Sequence, residues 1–290
     1  MSDFAFAAPR PQEMPPERKR KRRPPPPAAV VLALLAVGCG LCGVIAPGDP
    51  GHMDLAHCGV PPCGEFWFGT DAMGRDLFAM IWHGGRTSLL VGFGAAGVSA
   101  GIAAAAGSLC GLAPRWLEAL LDRLMEILLS VPALLLTVLL QAILGKATAA
   151  SLIVVIGATG WTPMARVVAG EVRRLRACDY VAASRAMGGG FFHILRRHLA
   201  PNFLTAMLPM AVMNVGGAIA SEATLSFMGI GLPVEEVSWG SMLSLSEQAL
   251  LGGQWWMIVI PGGFLIAALL SVTSLGNRLR KDSGRRHSNL

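Results

Sequence analysis

Groups able to do chemistry are sparse in this chain of 290 residues: 6 Cys, 6 His and 18 acids lie between long runs almost free of charge. His52, Met53, Asp54, His57, Cys58 and Cys63 share one short stretch. In an oxidising compartment Cys58 and Cys63 read most simply as a small disulfide; a soft metal site of imidazole and thiolate, or two free thiols, are the alternatives. Cys39, Cys42, Cys110 and Cys178 read as small apolar fillers. His193 and His198 stand five apart, off the i, i+4 spacing by which a regular helix pairs two metal ligands. No glycine-rich loop ends in Gly-Lys-Ser or Gly-Lys-Thr, so the chain carries no phosphate cradle of its own. Paired acids, a His-rich motif or a Ser/Lys dyad converging at one depth would mark a membrane-embedded enzyme, and none is legible.

The elements that must position these groups are apolar helices. The chain is 53% hydrophobic and only 14% charged. A hydrocarbon core of about 30 Å needs roughly 20 apolar residues in helical form, because lipid cannot satisfy open backbone groups. Six windows meet that test: Ala28–Ala46, Ser88–Leu112, Leu124–Leu144, Ala149–Val168, Phe203–Glu222 and Trp256–Leu275. The fifth is the weakest, since Asn214, Gly216, Gly217 and Glu222 interrupt it. The first reads as an anchor, being too long for a removed signal peptide. All of the 24 Lys and Arg except Arg75, Arg86 and Lys146 fall in alternate connections. That bias predicts an all-α protein with six transmembrane helices and both termini cytoplasmic. It also makes the net charge of +6 a topology signal and not a nucleic-acid footprint. The basic run Arg18–Arg23 retains the N-terminus and can meet anionic membrane lipid.

Residues 1–27 are rich in Pro and basic groups and read as a disordered cytoplasmic tail; 28–276 form the membrane domain and 277–290 a second tail. Two long connections remain, an outer loop over 47–87 and a cytoplasmic loop over 169–201. The stretch Ala223–Trp255 reads as dipping partly into the membrane from outside. In the cytoplasmic loop Asp179 is placed to cap a short helix that runs to Met187, and Gly188–Gly190 then turn the chain. A second amphipathic segment follows, with Phe191, Phe192, Leu195 and Leu199 near helical spacing. Pro201-Asn202 then leads into the fifth window. Two short helices around a glycine turn make a knob that can sit in a partner's groove; an ordinary solvated loop is the plain alternative.

Four ordered segments carry a family resemblance. Tyr180–Asn202 resembles the cytoplasmic Glu-Ala-Ala signature of inner-membrane permease subunits of binding-protein-dependent ABC importers. Phe68-Gly69-Thr70-Asp71-Ala72-Met73-Gly74-Arg75-Asp76 resembles the Leu-Gly-Thr-Asp-x-x-Gly-Arg-Asp of their dipeptide, oligopeptide and nickel branch. The segment from Glu222 to Gly231 resembles its Glu-Ala-x-Leu-Ser-Phe-Leu-Gly-Leu-Gly, and Ser274–Arg280 its Leu-Gly-Asp-x-Leu-Arg. The C-type subunit of that branch is the nearest match, and the resemblance covers nearly everything after residue 28. Two positions depart: Ala182 stands where the signature has its acid, and Asn277 replaces an acid near the end.

The resemblance implies an importer-type permease bundle in the bacterial inner membrane, without catalytic residues or cofactor of its own. Its partners are a homologous second permease, two ABC ATPase subunits that bind ATP and Mg, and a periplasmic solute-binding protein. Coupling to the ATPases falls on Tyr180, Ala182, Ala183, Ser184, Arg185, Gly188, Phe191 and Phe192. Asn214 and Glu222 are intramembrane polar groups and hence candidates for the translocation path, with helix packing or loop capping as the plain alternative. The cargo implied is a di- or oligopeptide. Nickel or a metal chelate is the alternative, kept open by the missing signature acid and the His/Cys-bearing outer loop.

Overall fold

The computed structural model describes residues 27–233, 236–247, 249 and 252–287; of Arg185, Phe191, Phe192 and 283–287 only the backbone is described. The N-terminal tail's basic cluster lies outside the described residues. Helices dominate: α1 (Pro27–Gly40), α2 (Cys42–Ile45), α3 (Leu77–Leu112), α4 (Arg115–Ser130), α5 (Ala133–Leu144), α6 (Ala149–Thr159), α7 (Thr162–Arg176), α8 (Asp179–Ala186), α9 (Phe191–Ile194), α10 (Ala200–Phe227), α11 (Trp239–Leu245) and α12 (Trp256–His287). A π-helical segment, Leu195–Leu199, joins α9 to α10. Among the described residues no strand forms, only one bridge between Thr70 and Asp76.

Three helices are long and apolar enough to cross a membrane, over Leu77–Leu112, Leu195–Phe227 and Trp256–Asp282. Two bent pairs pass the same test together, α4 with α5 at 90° and α6 with α7 at 47°. The third window, Leu124–Leu144, is therefore not one straight span. Pro132 removes a donor and forces Val131 into extended backbone, φ −88° and ψ 128°, which ends α4. A length test over hydropathy also misreads α4 itself. Glu118, Asp122 and Glu126 line one face of it, while exposed Trp116, Leu120, Leu124 and Ile127 line the other. That pattern belongs to a surface-lying amphipathic helix. The fifth window, by contrast, is unbroken from Ala200 to Phe227 despite Pro209. The last helix continues through 277–287, where a tail was expected.

α3 is the axis. Its outer-loop end packs with α1, α10, α11 and α12 around Leu77, Ile81, Ile219 and Trp239. Its middle packs with α6 and α10 around Val91, Leu152 and Leu225, and its far end with α7 around Ala103, Cys110, Val168 and Val172. Lipid gives helices no hydrophobic reason to associate, so close van der Waals approach must do it. A Cβ on Gly107 would lie 2.6 Å from the Ala165 carbonyl and 2.6 Å from Val168 Cβ; one on Gly111 would lie 2.7 Å from Val172 Cβ. The two backbones thus touch where side chains are missing. Gly107→Val should cost about 1–3 kcal/mol by forcing α3 and α7 apart. Gly101→Ala, with open space around its Cβ, should cost nothing. Thermal unfolding in detergent separates the two, and equal stability of both variants would contradict this packing.

Candidate functional site

The knob begins where α7 ends. Cys178, not Asp179, caps α8: its carbonyl accepts the amides of Val181 and Ala182 at 3.0 and 3.2 Å. Asp179 sits instead in the first turn, where its charge complements the helix dipole. Gly188 adopts φ +85°, and across it the Gly189 amide reaches back to the Ser184 carbonyl at 2.9 Å. This is the left-handed closure that glycine supplies at helix ends. Val181, Ser184, Ile194 and Leu199 turn inward and seat the knob on α7 and α10. Tyr180, Ala182, Ala183 and Gly188 face outward, and Met187 at the tip is 82% exposed. The side chains of Arg185, Phe191 and Phe192 lie outside the described residues. Ala182 therefore presents a methyl group on the open surface, at the position where the resemblance has an acid.

The π segment changes the reading of the histidines. With i, i+5 bonding, residues five apart share a face, and the His193 and His198 rings stand 6.0 Å apart, with Tyr180 5.8 Å from His198. Among the described residues no group of three or more His, Cys, Asp or Glu is arranged to hold a metal ion.

Behind the knob, α7 is lashed to its neighbours. Arg173 Nη2 donates to Asp122 Oδ2 at 2.7 Å and to Cys110 Sγ at 3.3 Å, and its Nε lies 2.7 Å from Glu118 Oε1. Arg176 Nη1 donates to the Gly111 carbonyl at 3.0 Å. The end of α7 thus grips both α3 and α4. Sequence reading missed this cluster, whose partners lie 51 to 65 residues away; the acids at i, i+4, i+8 on α4 were its one visible signal.

At the opposite end the Gly69–Asp76 motif proves structural. Asp71 accepts the amides of Met73 and Arg75 at 2.8 Å, and its other oxygen accepts Arg75 Nε at 2.6 Å, both side chains being buried. Asp76 caps α3 through the Phe78 amide. Thr70 Oγ1 donates to the His57 carbonyl at 2.6 Å, and Trp256 Nε1 donates to the Thr70 carbonyl. Cys58 and Cys63 are free and exposed; Cys58 Sγ approaches the Leu55 carbonyl, and Cys63 Sγ accepts the Phe66 amide. The disulfide read from their spacing is not formed. His57 pairs with Asp54 at 2.7 Å, so the hydrogen bond from the imidazole, and then the Ala56 amide, hold the Asp54 carboxyl below its usual range. The same contact raises His57.

Glu222 is fully buried and is not free to meet a solute. Ser88 Oγ donates to its Oε2 and Ser226 Oγ to its Oε1, each at 2.9 Å. Ser88 Oγ in turn accepts the Trp239 amide, Ser226 Oγ accepts the Leu232 amide, and Trp239 Nε1 donates to the Ile81 carbonyl. Asn214 Nδ2 is likewise engaged, donating to the Gly160 carbonyl at 3.0 Å.

A helical bundle with long apolar spans, a hydrogen-bonded motif at one end and an outward knob at the other defines a membrane permease rather than an enzyme. Residues 97–282 match the family described as "Binding-protein-dependent transport system inner membrane component", and the chain belongs to it. It is 34% identical to the "Dipeptide transport system permease protein DppC" of Bacillus subtilis, over 81% of this chain and 73% of that protein. It is 34% identical to the "Oligopeptide transport system permease protein OppC" of the same organism, over 80% and 75%, and 35% identical to a putative peptide permease protein of Brucella suis, over 81% and 78%. Among solved structures it shares its fold, at TM-score 0.55 and 18% identity, with a chain of the MetNI methionine ABC transporter in inward-facing conformations, covering 70% of this chain and 95% of that one.

Truncating Glu222 tests the buried network. Glu222→Ala strands two serine hydroxyls and leaves a cavity, a loss of about 2–4 kcal/mol. Glu222→Gln keeps shape and partners and should lose about 1 kcal/mol. Thermal unfolding reads both, and an Ala variant as stable as the parent would show the network to be idle.

Proposed function

We propose that this chain is the permease subunit of an ATP-driven importer that passes di- or oligopeptides across the inner membrane. It forms the path with a homologous second permease, receives cargo from a periplasmic solute-binding protein, and is driven by two ABC ATPases that bind ATP and Mg. In this reading six segments cross the membrane and both termini and the knob are cytoplasmic, as the Lys and Arg distribution requires. The observation that carries it is the knob itself: α8 and the turn after it expose Tyr180, Ala182, Ala183 and Met187 while Val181 and Ser184 are buried beneath. Relatives named for dipeptide and oligopeptide transport favour peptide over nickel.

Transmission follows from packing. A push on α8 moves α7, and Arg173 hands that movement to α4 and α3. A discrete element biased from both ends is what such coupling needs. Uptake of labelled peptide, with nickel accumulation measured alongside, should be lost in a strain lacking the gene. Unchanged peptide uptake with lost nickel uptake would overturn the peptide assignment. Deleting residues 182–188 should abolish association with the ATPases. Arg173→Ala should leave the ATPases bound while uptake falls about tenfold, the size of an ordinary coupling energy; wild-type uptake would remove Arg173 from the transmission route.

A further inference from the structure

With Glu222 fully buried and hydrogen-bonded to Ser88 and Ser226, the charges still open to a solute lie elsewhere. A cleft of about 380 Å³ runs along the outer-loop end of α3, lined by His83, Arg86, Thr87, Leu90 and Glu236. Its size falls in the range of small-molecule pockets, about 300–1,000 Å³. Arg86 is exposed although Gly85 and Ser88 beside it are buried, and with Leu90, Phe93 and Gly97 it forms an exposed stripe at helical spacing on α3. Glu236 enters from the segment that precedes α11 and is half-buried. Among the described residues neither Arg86 nor Glu236 has an ion-pair partner, whereas Arg75 at the same end is paired with Asp71.

We propose that this cleft receives a free peptide as a zwitterion, its carboxylate at Arg86 and its ammonium at Glu236. The inference rests on the importer reading above and names the groups that meet the cargo. Arg86 and Glu236 line one cleft without pairing with each other, and a ligand carrying both signs can meet both. Thr87 adds a hydroxyl on the same wall. His83 Nε2 faces the Ala46 carbonyl at 3.2 Å, which holds that ring against the wall. A bare divalent metal fits poorly, because the guanidinium would repel it. The wall is fixed from behind: Ser88, two residues from Arg86, donates to Glu222 and accepts the amide of Trp239, three residues from Glu236.

The test uses the complete transporter in proteoliposomes with its binding protein and a labelled dipeptide. Arg86→Ala and Glu236→Ala should each cut uptake roughly tenfold, the worth of one charge-assisted hydrogen bond. Arg86→Lys and Glu236→Asp should recover much of it. Basal ATP hydrolysis and co-sedimentation of the binding protein should not change. Wild-type uptake by both Ala variants would overturn the proposal. Loss of binding-protein co-sedimentation would overturn it too, making the cleft a seat for that protein. Failure of the parent transporter itself to import any peptide would instead overturn the importer reading beneath it.

Discussion

A carboxyl group with no cation beside it, whatever its charge, needs hydroxyl or amide partners to stay in an apolar interior. Glu222 meets that condition through Ser88 of α3 and Ser226 of its own helix, and Ser88 carries the link on to the Trp239 amide at the start of α11. The constraint spreads from there. Gly231 must pass so close to Ser226 that a Cβ would lie 2.4 Å from the serine amide, and a Cβ on Gly240 would lie 2.6 Å from Ala223 Cα. Trp239 is thereby driven fully into the bundle against α3. The Glu-Ala-x-Leu-Ser motif thus acts as a spacer lock that fixes where the 236–245 segment lies.

The two ends of the molecule are built on different physics. At the outer-loop end, buried hydrogen bonds around Thr70, Asp71, Arg75 and Glu222 hold a fixed wall. At the knob end, the links are ion pairs at partly exposed Arg173 and a glycine-lined contact between α3 and α7. Exposed ion pairs are individually weak and rearrange at little cost, whereas buried hydrogen-bond networks resist change. Such a division suits a protein that must move at one end while presenting a stable receiving surface at the other.

Much of this was legible before the coordinates. Hydropathy located the apolar runs, and Gly188 announced the knob's turn through its need for positive φ. The failures have physical causes. A composition window cannot see that Pro132 breaks α4 from α5, nor that α4 is one-sided. The weakness of the fifth window was only apparent, because Asn214 and Glu222 find partners 54 and 134 residues away. The same remoteness hid Arg173. His193 and His198 looked mismatched because a regular helix was assumed where a π segment forms. Local motifs were readable, and long-range satisfaction of polar groups was not.

The central claim is that α8 is the surface through which a separate ATPase drives the bundle. Met187, exposed at the knob's tip, offers the direct measurement: Met187→Cys in a Cys178→Ser background, treated with a short thiol crosslinker in membranes that hold the whole transporter. The account predicts a crosslink to the ATPase subunit whose yield changes when ATP is bound. A cysteine at the same place that reacts freely with a soluble maleimide yet never crosslinks to the ATPase would contradict it.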